Sequence, residues 1–207
     1  MSLSIARPRH AGKTFALALT LTLALSACGR GRAPAPEPGA SQGTPPDLRG
    51  STVMVLPFQG AMGVTGDVDA ELAFGLRDRA PGVDWVLPPR LQQALDRSPG
   101  LNVRIHSLEV GVFSAAEVQR VGDPLFGDLL RLGALVDAQR ALLPVRAWVA
   151  DGEGGIRVRI SAALVQVRTG RVLWFGMVEG GLAEANDPGA LASAVDALTQ
   201  KLIWYGR

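Results

Sequence analysis

The chain has 207 residues, 47% of them apolar and 19% charged, a globular composition rather than a disordered or collagen-like one. Its formal charge is +2 and its isoelectric point about 9.2, but the basic excess is local. Residues 1–27 hold Arg7, Arg9 and Lys13 and no acid, which leaves 18 basic against 19 acidic residues in the remainder and argues against a nucleic-acid footprint. A single cysteine, Cys28, excludes an intramolecular disulfide, and two histidines, His10 and His106, exclude a multi-histidine metal site.

Residues 1–13 are basic and residues 15–27 (FALALTLTLALSA) are apolar. That run is too short to span a bilayer, which takes about 20 residues, and it reads as a signal peptide. It ends in Leu25, Ser26, Ala27, Cys28 and Gly29, which resembles the lipobox of bacterial lipoproteins. The resemblance implies cleavage before Cys28, a diacylglyceryl thioether on its sulfur and an acyl chain, such as palmitate, on its amine. Two or three chains anchor stably where one binds only marginally. Gly29 in place of aspartate implies, by resemblance to the enteric sorting rule, the periplasmic face of the outer membrane.

Residues 28–50 carry the lipidated cysteine and then a linker. Residues 29–50 (GRGRAPAPEPGASQGTPPDLRG) hold five prolines and five glycines and would reach on the order of 70 Å extended or roughly 25 Å as a coil. Residues 51–207 are long enough for one domain that folds without metal or disulfide.

Residues 52–58 (TVMVLPF) form a continuous apolar, β-rich run, as in a strand buried on both faces. A glycine loop follows, with Gly60, Gly63 and Gly66. Asp67 is then the N-cap of a helix to about Arg79, with Val68, Leu72 and Leu76 on one face. Residues 83–87 (VDWVL) give a second strand, and Pro88 and Pro89 open a helix carrying Leu91 and Leu95. The alternation of residues 101–105 (LNVRI) predicts a third strand. Ser114 and Glu117 form a capping box, with Phe113 stapled onto Val118. Asp123 and Pro124 open a helix with Leu125, Leu129, Leu132 and Val136 at helical spacing.

The last third reads as a meander. Residues 142–149 and 156–167 flank a turn at residues 151–154. The predicted register pairs Val149 with Ile156, Ala147 with Val158 and Val145 with Ile160 on one face. It gathers Arg146, Trp148, Arg157 and Arg159 on the other. A Thr169–Gly170 turn leads to a strand over residues 172–178, and Asp187 and Pro188 open a last helix with Leu191, Val195, Leu198 and Leu202 on one stripe. The predicted fold is one α/β domain: a mixed sheet with a βαβ start and a C-terminal antiparallel meander, flanked by helices.

Four of these stretches, VMVLPF, VDWVLPPRLQQAL, ALLPVRAWVADGEG and VRISAALVQVRTGRVLWFGMVEGG, together resemble a group of periplasmic lipoproteins. The group takes in the curli-secretion protein CsgG, the penicillin-binding-protein activator LpoB, the exopolysaccharide lipoprotein PelC and the amino-terminal domain of TolB. The resemblance spans about residues 52–204. Its motifs are structural: the Thr–Gly turn is there because glycine takes the positive φ of a hairpin, and Gln166 or Arg168 stands where an acid is common. It implies no enzyme chemistry and no cofactor beyond the acyl chains on Cys28. It implies an accessory module that binds an envelope protein or glycan in cell-envelope assembly or export. The alternative it leaves is an oligomeric secretion-channel subunit of the CsgG type, and a homo-oligomer stays open.

The glycine loop before a helix N-terminus is a place for phosphate, but its spacing is G-x-x-G-x-x-G, no Gly-Lys-Ser/Thr follows, and Asp67 and Asp69 would repel an anion. His106 could be oriented by Asp84, Asp96 or Glu109 toward Ser107 or Ser114, yet no spacing encodes a triad. Glu71, Asp78 and Asp84 lack metal-ligand spacing. The candidate site is therefore the set Arg146, Trp148, Arg157 and Arg159, suited to a carboxylated glycan or a partner's acidic strip. The competing view is a solvated face, or one covered by the C-terminal helix. Trp204 and Tyr205 would pack that helix.

Overall fold

The computed structural model describes residues 41–114 and 118–203. Seven strands, β1 (Ser41–Gln42), β2 (Thr52–Val55), β3 (Ala61–Met62), β4 (Asp84–Val86), β5 (Arg140–Gly152), β6 (Gly155–Gln166) and β7 (Arg171–Glu179), form one sheet. Its order is β1-β7-β6-β5-β2-β4, with β3 pairing further along β5. The β2–β4, β2–β5 and β3–β5 pairs are parallel and the rest antiparallel. The sheet is thus mixed and the domain α/β, as predicted.

Four helices cover the two faces: α1 (Val68–Arg79), α2 (Pro88–Asp96), α3 (Leu125–Val136) and α4 (Gly189–Leu202). Strand β2 lies between β4 and β5, so the chain crosses one way through α1 and back the other way through α2 and α3. Right-handed crossovers then place α1 on one face and α2 and α3 on the other. Leu72 and Leu76 of α1 and Leu191, Val195 and Leu198 of α4 share one core with Val53, Val55, Leu142, Ile160 and Leu164. Leu91 and Leu95 of α2 and Leu125, Leu129 and Leu132 of α3 share the other with Met54, Leu143, Ala163 and Val165. Continuous apolar runs in the central strands follow from this two-sided burial.

The helix starts form where their caps predict. Asp67 accepts from the amides of Asp69 and Ala70, both at 3.0 Å. Pro88 opens α2, and Asp187 accepts from the Gly189 amide at 2.8 Å ahead of α4. Phe113 and Val118 share the α2/α3 core, and Phe113 stacks on Phe175 at 5.4 Å. Glu117 of the capping box, the Ser114 side chain, Cys28, Trp204 and Tyr205 lie outside the described residues.

Four expectations are corrected. Residues 41–50, read as linker, pack with the domain: β1 pairs with β7 and Leu48 is buried in the core. Residues 101–105 form no strand. Val103 and Ile105 do face the core, but the segment's amides bond locally, Leu101 N to Ser98 O and Val103 N to Leu101 O, and the Gln59 side chain takes the Ile105 carbonyl. Its amide donates to Pro57 O at 2.7 Å and Ile105 O at 2.8 Å, and its oxygen accepts from Leu108 N at 2.8 Å.

The β5–β6 hairpin closes tighter than predicted. Gly152 pairs Gly155, with Glu153 and Gly154 at the turn, and Gly154 takes φ +83°, the positive value a tight turn requires. Val149 therefore pairs Val158, and Ala147 pairs Ile160. Finally, the register shifts between Pro144 and Arg146. Proline has no N–H for the ladder, and an extra residue there relieves the pairing. The bulge turns Val145 toward the α2/α3 core, while Ala147 lies in the α1/α4 core.

Candidate functional site

Beyond the bulge, β5 and β6 run past the helices that cover the α2/α3 face. Ala147 and Val149 turn to the α1/α4 core, so Arg146 and Trp148 turn the other way. Trp148 pairs Arg159 and Ala150 pairs Arg157 across the ladder. The four residues predicted to share a face do share it. The C-terminal helix α4 packs on the opposite face, against Val158 and Ile160, and does not cover them.

The four differ in what holds them. Arg159 Nε donates to Glu179 Oε2 at 2.6 Å. Arg157 Nε lies 3.4 Å from Glu179 Oε1, and its Nη1 donates to Gly180 O at 3.1 Å. Glu179 thus holds both arginines flat on the sheet and neutralises one charge. Arg146 is exposed and pairs with no carboxylate among the described residues. Its Cζ lies 5.4 Å from the Trp148 ring centroid, within cation–π range, and its Nη2 is 2.9 Å from Met62 Sδ.

Met62 reaches this face because β3 pairs it beside Trp148, and it is 58% exposed. The result is a half-buried tryptophan platform flanked by a thioether and by a guanidinium with no carboxylate partner among the described residues, next to an Arg–Glu–Arg row. Such a surface can take a carboxylate bidentately on guanidinium and an apolar or sugar face on the indole. Sequence reasoning missed Met62 and Glu179, since both depend on cross-strand register.

The remaining sequence candidates do not assemble. At the start of α1 the Asp67 carboxylate already takes the helix amides, the position an anion would need. Asp84 is engaged by Thr52 and Arg90, and Asp96 accepts from Gln92; no hydrogen bond joins either to His106. Among the described residues, no group of three His, Cys, Asp or Glu side chains could hold a metal.

A second concavity was not foreseen. A cleft of about 970 Å³ lies between α1 and α2, lined among others by Asp67, Asp69, Phe74, Arg77, Pro88 and His106. Phe74 is 67% exposed; its place off the Val68–Leu72–Leu76 stripe was the readable signal. Half-buried Asp69 accepts from the Phe58 amide at 2.8 Å. Burial raises its pKa above the ordinary carboxylate value, the Phe58 bond opposes this, and the neighbouring Asp67 adds to the rise.

No protein-family profile and no curated protein matches the chain. Among solved structures, it is similar to the LpoB C-terminal domain of Salmonella enterica. The two are 15% identical with a TM-score of 0.41, over 66% of this chain and 86% of that one. It is also similar to the PelC dodecamer of Paraburkholderia phytofirmans, at 14% identity and a TM-score of 0.41 over 79% and 95%. A third is the lipoprotein GNA1162 of Neisseria meningitidis, at 15% identity and a TM-score of 0.37 over 66% and 84%.

Proposed function

We propose that the protein is an outer-membrane lipoprotein, anchored by acyl chains on Cys28. On this reading its periplasmic domain works by binding, without catalysis, as an accessory module in envelope assembly or export. The observation that carries the reading is the open face of Arg146 and Trp148, where an exposed guanidinium with no carboxylate partner among the described residues lies on an aromatic platform. A partner bearing carboxylates, as an acidic protein strip or a carboxylated glycan, is the ligand chemistry that face suits. The signal peptide and the lipobox pattern at residues 25–28 support the compartment.

A channel subunit needs strands of about 9–11 residues facing lipid. In β5 only the rungs from Arg146 to Gly152 run past α2 and α3, and this stretch of the hairpin carries Arg146 on β5 and Arg157 and Arg159 on β6.

The test is the mass of the lipidated protein, mildly extracted from membranes, by light scattering after chemical crosslinking. The reading expects a protomer that is soluble as Cys28→Ser and that crosslinks to one larger envelope protein. A large ring that still needs detergent as Cys28→Ser contradicts it. So does hydrolysis of a glycan or peptide that His106→Ala abolishes.

A further inference from the structure

Strand β4 is an edge of the sheet, and its outer side opens into the cleft between α1 and α2. In a parallel pair, alternate residues direct both backbone groups to the neighbour and away from it. The Asp84 amide donates to Ser51 O at 3.1 Å on the β2 side, so the N–H and C=O of Trp85 point outward. Among the described residues, neither has a partner. The Trp85 side chain does not offer itself instead, since its Nε1 donates to Ala80 O at 3.1 Å.

The cleft is built around this edge with opposite charge at its two ends. Helix α1 runs back along the strands from the end of β2. Asp67 and Asp69 therefore stand at the end where β4 leads into α2, and Arg77 stands near the end where β4 begins. Arg90, loosely paired with Asp84 at 3.4 Å, joins Arg77 there. Exposed Phe74 lies between on α1, and Pro88 and Pro89 also line the cleft. From Asp67 to Arg77 the helix rises about 15 Å, the length of roughly four to five residues of extended chain. The opposite edge already shows the principle: β1 adds two residues to β7 antiparallel.

The geometry points to β4 as a strand-addition site for an extended peptide segment of a partner protein. The segment pairs its backbone with Trp85 and lays an apolar side chain against Phe74. It brings a basic residue to Asp67 and Asp69 and an acidic one to Arg77 and Arg90. Main-chain hydrogen bonds supply the affinity, and the end charges and the apolar contact supply the selection. This site is separate from the Arg146–Trp148 face, so either can fail without the other.

The probes are two acetylated hexapeptides of alternating valine and threonine. One carries lysine first and glutamate last, and the other has these ends exchanged. Each is titrated into the full mature chain as Cys28→Ser, with the Trp85 amide followed by two-dimensional NMR. One end order is expected to shift the Trp85 amide and slow its hydrogen exchange. N-methylating the two central residues of that peptide is expected to weaken binding by about tenfold or more. Phe74→Ser and Arg77→Glu, both at exposed positions, should weaken it severalfold with the circular dichroism unchanged, while Arg146→Glu should leave it as it was. An unmoved Trp85 amide with both peptides, or equal binding of the N-methylated peptide, overturns the proposal.

Discussion

Arg159 on β6 and Glu179 on β7 face each other as cross-strand partners, and Arg159 Nε donates to Glu179 Oε2 at 2.6 Å. The same carboxylate holds Arg157 through its other oxygen. Two of the three arginines on the open face are therefore positioned by a carboxylate. Arg146 is left as the cation available to a ligand, stacked against Trp148.

This makes Glu179 a restraint on the face. Glu179→Gln removes one negative charge and releases the pull on both guanidinium groups. Because these side chains are 23% to 37% exposed, screening limits the stability loss to about 1 kcal/mol or less. Binding of a polyanionic probe such as polygalacturonate should strengthen severalfold and become more salt-sensitive. Urea unfolding and a titration at two salt concentrations check both parts; unchanged or weaker polyanion binding counts against the assignment.

Gln59 makes a different kind of prediction. Its one side chain satisfies Ile105 O and Leu108 N. Gln59→Leu leaves both without that partner, at a cost of about 1–3 kcal/mol. Faster hydrogen exchange should be confined to the segment around residues 101–110 rather than spread over the sheet. Uniform loosening would mean that the glutamine does not act as the local clamp.

Asp69 gives a pH dependence. Burial holds its pKa above the ordinary carboxylate value, so the folded chain binds that proton more tightly than the unfolded chain does. The stability it contributes is full below the ordinary value and is lost as pH rises through the raised one. Asp69→Asn keeps an acceptor for the Phe58 amide and does not ionise. The variant should be the more stable form near about pH 7, with the gap closing as pH falls toward about 4. Urea titrations at the two pH values measure this; a gap that is absent at neutral pH contradicts it.

Gly180 sets how closely α4 approaches the end of β7. A Cβ there would meet Ala194 N at 2.8 Å and Ala190 O at 3.0 Å, both backbone atoms of the helix. Gly180→Ala should therefore destabilise by about 1–3 kcal/mol, read from the urea midpoint. A change under about half a kcal/mol would show that α4 moves aside freely.

Much of the fold was legible because its signals are local. Asp67, Pro88 and Asp187 mark helix starts by their own backbone chemistry, and the alternation from Arg146 to Arg159 placed four site residues on one face. What failed depended on distant partners. Ser41 and Gln42 have no strand signature of their own and pair only because β7 offers an edge. The alternation at Val103 and Ile105 reported burial correctly but said nothing of pairing, since a side chain 46 residues away from Ile105 satisfies its carbonyl. Pro144 was a readable warning of the bulge that turned Val145 to the other core. The Glu179 restraint was not readable, because the β6–β7 register shifts between Leu164 and Val165.

The most direct test of the central claim is site-specific photo-crosslinking in living cells, using the full lipidated chain with benzoylphenylalanine at position 148. One adduct is expected, at a mass that is not a multiple of this chain's own. It should be lost when Arg146→Glu is added and absent when the photo-reactive residue stands instead at position 130, on the exposed side of α3. Adducts only at multiples of the chain's own mass, or the same adduct from both positions, would contradict a binding module that works through the Arg146–Trp148 face.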